Sequence, residues 1–203
     1  DIENIIQYSI GFNGYIDVLS TMSDNLKTNK ISPCIFSKKL TKFKDLYHPN
    51  IELDQAVKNN VILNKNIIIT GPNAAGKTTI LKSIIINLLL SQQFGLGYYS
   101  NKTLIKPYDF IHCYINIPDT SHRDSLFQAE ARRCKNIIDI IDENKDKRHF
   151  CIFDELFSGT NPYEAIGCGT SYLKYLTNNE NVSFLLTTHF DKLCKLLNKN
   201  DKI

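Results

Sequence analysis

The spacing of apolar positions changes part-way along the chain. Up to Leu26, the residues Tyr15, Ile16, Leu19, Met22 and Leu26 fall at helical intervals, which predicts a helix entered from a turn at Gly11 and Gly14. The stretches "NKISPCIF" and "KDLYHPNIELD" follow, and Pro33 and Pro49 forbid a continuous helix through them. Beyond these, short β-branched runs alternate with helical stretches. Asn66–Thr70 ("NIIIT") reads as a fully buried strand, Lys77–Gln93 as a helix and Phe110–Ile117 as a second strand. Ser125–Asp142 reads as an amphipathic helix, with Phe127, Ala131, Cys134, Ile138 and Ile141 on one stripe and Arg132, Arg133 and Lys135 mostly off it. Phe150–Phe153, Pro162–Leu176, Ser183–Thr187 and Asp191–Leu197 continue as strand, helix, strand and helix. This alternation predicts an α/β fold, a mostly parallel sheet flanked by helices with a short helical N-terminal lead-in. Ligands of such sheets bind beyond the carboxyl ends of the strands.

The chain has 203 residues, 42% hydrophobic and 22% charged, which fits one ordinary globular domain or a domain plus a fragment. A net charge of +3 is too small to argue for nucleic acid or a membrane surface as a direct partner. The six cysteines show no C-x-x-C pair and no metal-ligand spacing, so they read as free thiols in a reducing compartment. The longest apolar run, Ile84–Leu90, is interrupted by Asn87 and is too short to span a bilayer. No signal peptide is visible, so an intracellular location is expected. The chain starts without Met and stops abruptly, and is expected to be cut from something longer.

"GPNAAGKTT" follows "NIIIT" and opens a helix. Gly71, Gly76, Lys77 and Thr78 fit the P-loop pattern G-x-x-x-x-G-K-[ST] in the strand–loop–helix setting it requires. Across Gly71, Pro72, Asn73, Ala74, Ala75 and Gly76 the backbone can wrap a polyphosphate, with Thr79 next in the helix and the helix N-terminus facing the anion. Lys77 supplies a cation for the β- and γ-phosphates, and the Thr78 hydroxyl can ligate Mg²⁺. "FCIFDE" then places a second magnesium ligand, Asp154, at the end of a neighbouring strand, with Glu155 as candidate base for an attacking water. "LLTTH" brings Thr188 and His189 to the same edge, His189 as a candidate γ-phosphate sensor or a structural cap. Catalytic candidates are therefore Glu155, His189 and Lys77, with ATP and Mg²⁺ as cofactors.

With these motifs in order, the sequence resembles the ATPase domain of the MutS family of mismatch-repair proteins, from about Tyr15 to Leu197. "GPNAAGKTT" resembles that family's G-P-N-M-G-G-K-S-T, "SLFQAE" its S-x-F-x-x-E, "DELFSGTN" its D-E-x-x-x-G-T-[ST], and "LLTTH" its F-A-T-H. The ABC-type ATPases are close relatives, but their L-S-G-G-Q signature is absent from this sequence. Ala74-Ala75 stands where the family has Met-Gly, Phe157-Ser158 where it has Gly-Arg, and Asn161 where it usually has Ser. "QAVKNN" aligns with a loop that carries an adenine-stacking aromatic, but Ala56 supplies no ring; the backbone from Val57 to Asn60, with Asn59, is left to meet the base.

The resemblance implies a P-loop NTPase of the ABC-ATPase type. Residues 1–45 would be the end of a lever-type helix and a connector, and 46–203 the ATPase domain. It implies hydrolysis of ATP in a homodimer, or with a MutS-like partner, through the ATPase face. There Ser158, Gly159, Thr160 and Asn161 of one subunit would complete the γ-phosphate site of the other, unless Thr160 and Asn161 simply cap the next helix. Duplex DNA would be met only by parts of a longer protein. The alternative is a nucleotide-binding dimerisation or regulatory module with little hydrolysis and no direct DNA contact. A P-loop kinase is disfavoured because Glu155 suits the activation of water.

Overall fold

A computed structural model describes residues 2–115 and 126–197. Helix α1 (Ile2–Lys27) leads to the short strands β1 (Ser32–Pro33) and β2 (Ile35–Phe36), then β3 (Thr41–Leu46), β4 (Asn59–Leu63) and β5 (Ile67–Thr70). Next come α2 (Lys77–Phe94), β6 (Leu96–Gly97), β7 (Leu104–Ile105), β8 (Phe110–Tyr114) and α3 (Leu126–Glu143). The chain continues through β9 (His149–Asp154), α4 (Pro162–Thr177), β10 (Val182–Thr188) and α5 (Asp191–Leu197).

Four strands form a parallel sheet in the order β5-β10-β9-β8. Its middle strands alternate between two cores, as strands covered on both faces must. Phe150, Ile152 and Leu185 turn toward Leu81, Ile84 and Leu88 of α2 and Phe43 of β3. Cys151, Phe153, Phe184 and Leu186 turn toward Cys134 and Ile141 of α3, Leu173 and Leu176 of α4, and Leu193 of α5. A second sheet, β2-β7-β3-β4, closes over the α2 side, with β3 antiparallel to both its neighbours. Its alternation is plain in β3, where Thr41, Phe43 and Leu46 are buried and Lys42 and Lys44 exposed.

Asn87, which interrupts the apolar run of α2, is fully buried and fully used. It donates to the Tyr47 and Ser83 carbonyls at 3.1 and 2.9 Å and accepts the Tyr98 N–H at 2.6 Å, tying α2 to the chain on either side. All six cysteines are free thiols. Cys134 and Cys151 are buried, and burial raises both; Cys134 is pushed up to about 12.

Three expectations are corrected. The strand at "NIIIT" is not fully buried: β5 is the edge strand of the parallel sheet, with Ile67, Ile68 and Ile69 half-buried and Thr70 exposed. Gly11 and Gly14 make no turn; both lie inside α1, which at 26 residues is no short lead-in. A mid-helix glycine costs only about 1 kcal/mol relative to alanine, too little to end a helix of this length. β9 is not the neighbour of β5 either: β10 lies between them. β8 runs to Tyr114, and both the expected strand end at Ile117 and the expected helix start at Ser125 fall in 116–125, outside the described residues. The expected boundary between residues 45 and 46 falls within β3. Among the described residues no helix is long and apolar enough to cross a membrane.

Candidate functional site at the carboxyl edge of the parallel sheet

The register of the parallel sheet sets the site. Thr188 of β10 pairs with Thr70 of β5, and Thr187 with Asp154 of β9, so all three strands end at one edge. The loop 71–76 leaves that edge and enters α2 through Gly76, whose φ of 86° is left-handed and natural only to glycine. No side chain caps α2, so the amides of its first turn are left for another acceptor. α4 shows the contrast, because Asn161 accepts the N–H groups of Tyr163 and Glu164 at 3.1 Å each.

Lys77, almost fully buried, folds its ammonium back onto the Gly71 and Pro72 carbonyls at 2.9 Å each. Thr78 Oγ1 lies 3.2 and 3.0 Å from the two oxygens of Asp154, and Thr187 donates to the same carboxylate. One hydroxyl and one carboxylate suit a hard divalent cation that takes its other oxygens from phosphate and water. Among the described residues no cluster of three His, Cys, Asp or Glu side chains offers another metal site. Glu155 is left-handed at φ 53°, its N–H held by the Thr187 carbonyl at 3.1 Å, and its Oε1 lies 3.6 Å from His189 Nδ1. Thr188 lies at the same edge, as expected, and its hydroxyl accepts the Phe190 N–H just before α5.

The loop is a ridge between two clefts. One, of about 550 Å³, runs from Asn73, Ala74 and Thr79 past Lys77 and Asp154 to Glu155 and Ser158. His189 stands beside Glu155, just outside this lining. The other, of about 510 Å³, is bounded by Ala75, Gly76 and Thr79 and by His48, Ile51, Val57 and Asn59. Asn59 uses its side-chain amide on the Val57 carbonyl at 3.1 Å. The 158–161 turn follows Glu155. Thr160 donates to Glu164, and a side chain at Gly159 would collide with Leu126 and the Phe127 nitrogen.

Three residues of this edge carry no role in the sequence reading. Thr187 is hidden in an apolar run, and only the strand order brings it onto Asp154. Tyr114 and Glu130 line the far wall of the first cleft. In the sequence Glu130 stood only as the acid of "SLFQAE"; in the structure it is buried on α3 with Cys134, Ile137 and Ile141, where a carboxylate needs a reason.

Fold and site together define an α/β protein with a glycine-loop cleft at the carboxyl edge of its parallel sheet. The sequence model of MutS domain V matches residues 67–203, and the chain belongs to the MutS family. It is similar to the DNA mismatch repair protein MutS of Persephonella marina, 30% identical over 190 residues, covering 90% of this chain and 21% of that protein. The MutS of Clostridium botulinum is 30% identical over 193 residues, covering 89% and 20%. The endonuclease MutS2 of Staphylococcus haemolyticus is 27% identical over 184 residues, covering 89% and 23%. The chain thus spans about a fifth of the length of these relatives.

Proposed function

We propose that the chain binds ATP with Mg²⁺ across the 71–79 loop and hydrolyses it, as the ATPase part of a MutS-like DNA-handling protein. The observation that carries this is the convergence of Thr78 and Thr187 on Asp154 beside the uncapped start of α2. The amides of α2 and the Lys77 ammonium would hold the phosphates once that ammonium leaves its own loop carbonyls. Thr78 and Asp154 would hold the magnesium, which supplies charge neutralisation on the phosphate oxygens when bound. Glu155 would take a proton from water, with His189 orienting its carboxylate. The base would lie in the second cleft, against Ile51, Val57 and the backbone near Asn59.

In this reading residues 1–45 serve as a lever and connector, and two copies, or a copy and a MutS-like partner, meet through the nucleotide face. DNA contact belongs to other parts of such a protein. The test is single-turnover hydrolysis of ATP by the purified chain, with and without Mg²⁺, alongside binding of a fluorescent ATP analogue. Binding without turnover would select the second reading, a nucleotide-controlled dimerisation module. One observation favours that reading: Ser158 donates its N–H and hydroxyl to Glu130, and Asn161 Oδ1 accepts the Tyr163 and Glu164 N–H groups, all within one chain.

A further inference from the structure

We propose that Glu130 is the positioning residue that fixes the 155–161 turn, and through it the aim of Glu155. The inference rests on the ATP-hydrolysing reading for its consequence, but not for its geometry. Glu130 is 2% exposed, and its carboxylate is turned onto one short stretch of backbone. Oε1 accepts the Ser158 N–H at 3.0 Å and the Ser158 hydroxyl at 3.1 Å, and Oε2 accepts the Gly159 N–H at 3.0 Å. Tyr114, at the end of β8, joins the same cluster. Its hydroxyl accepts the Phe157 N–H at 3.4 Å; burial first, then the neighbouring Glu130 carboxylate, raises its pKa.

Three successive amides, 157 to 159, therefore end on one buried acid and its tyrosine. A carboxylate out of water needs such donors, and donors to a charged acceptor make the stronger hydrogen bonds. The turn in turn needs an anchor. Glu155 and Phe157 both hold left-handed backbone, at φ 53° and 57°, which L residues avoid unless their surroundings impose it. Gly159 completes the fit, since its missing side chain lets the turn press against the start of α3. Glu155 thus takes its direction from a backbone that α3 holds by its only buried acid among the described residues.

Glu130→Gln keeps the size but faces the turn's N–H groups with an N–H₂ of its own. In the full chain it is expected to leave the affinity for the fluorescent ATP analogue and the KM for ATP unchanged. It should lower kcat by about 10- to 10²-fold, the scale of a small misplacement of a reacting group, and speed amide exchange at Ser158 and Gly159 by at least about tenfold. Tyr114→Phe should also leave ATP affinity unchanged and move kcat and amide exchange the same way by less, and carries the test if Glu130→Gln does not fold. An unchanged kcat, or unchanged exchange at those amides, would overturn the proposal. A fall in kcat accompanied by lost ATP affinity and a lower Tm would overturn it too, reducing Glu130 to a core residue. If the parent binds ATP but never hydrolyses it, the proposed function fails, and the exchange result alone decides whether Glu130 fixes the turn.

Discussion

Thr78 Oγ1 sits 3.0 Å from Oδ2 of Asp154, although β10 separates β9, which ends in Asp154, from β5, the strand that leads into α2. The contact spans β10 because the hydroxyl projects from the first turn of α2, above the sheet edge, while Thr187 reaches the same carboxylate from β10 itself. If this acid is a magnesium ligand, its charge matters and its shape does not. Asp154→Asn should therefore cut the Mg²⁺-dependent part of ATP affinity by about 10- to 100-fold, with little change in EDTA. Titrations that show the same magnesium dependence in parent and variant would remove Asp154 from the metal site.

Lys77→Ala removes a buried cation and also the two hydrogen bonds that close the loop onto Gly71 and Pro72. Charge-assisted bonds to a ligand of about 1.5–3 kcal/mol correspond to at least about a tenfold loss. Binding of the fluorescent analogue should fall below detection at micromolar protein. Affinity equal to the parent's would mean that the nucleotide does not lie on this loop.

Glu155→Gln should separate binding from chemistry. The amide keeps the side chain's size and its place opposite His189 but cannot accept a proton from water. ATP affinity should hold while hydrolysis slows by about 10²–10⁴-fold. A variant turning over at the parent's rate would leave Glu155 as a solvated acid at a strand end.

The strands and helices of the parallel half were legible because their physics is local. "NIIIT" is stiff and apolar and forms β5, though as an edge strand it is half-buried and not fully buried, and Pro162 begins α4 as expected. Spacing placed the apolar face of α3 only approximately: Cys134 and Ile141 are buried as expected, Phe127, Ala131 and Ile138 are partly buried, and Ile137 was missed. What was missed depends on partners distant in sequence. β3 shows clean alternation in Thr41, Lys42, Phe43 and Lys44, yet its role appears only once β4 and β7 pair with it. Gly11 and Gly14 misled because glycine weakens a helix without ending it. Thr187 could not be assigned to Asp154 before the order β5-β10-β9 was known. Glu130 lay off the expected stripe and entered only as the last residue of "SLFQAE", and the amides it serves lie 28 and 29 residues away.

A second buried pair makes stability depend on pH. His112 Nε2 lies 3.0 Å from His149 Nδ1, and His149 Nε2 donates to the Asn144 carbonyl at 2.9 Å, so His112 is the donor between the rings. Burial first, then His149 and Arg133, lower the His112 pKa to about 4 from 6.5. Between those values the unfolded chain binds a proton that the folded chain refuses. This contribution to stability is complete above pH 6.5 and is lost as pH falls toward 4, at no more than about 1.4 kcal/mol per pH unit. Urea midpoints measured from pH 7 to 4 should decline in that window, and His112→Gln should flatten the decline. An equal slope in the variant would assign the effect to other groups.

Asn161 has one role within its chain and is proposed to have another across a dimer. Within the chain it caps α4, so Asn161→Ala should cost roughly 1 kcal/mol of stability whether or not a dimer forms. Asn161→Ser keeps a capping oxygen and serves as the control for that loss. Across the dimer, the 158–161 turn of one subunit would complete the nucleotide site of the other, and hydrolysis should rise with protein concentration. The decisive measurement mixes Lys77→Ala with Asn161→Ala, each inactive alone under this scheme. In a mixed dimer one site contains both lesions and the other contains neither, so about half the activity of a parent dimer should return. If mixed dimers form, shown by sedimentation of differently labelled chains, and activity stays at the level of either variant, Asn161 acts only on its own helix. Activity that is already normal in Asn161→Ala alone would lead to the same conclusion.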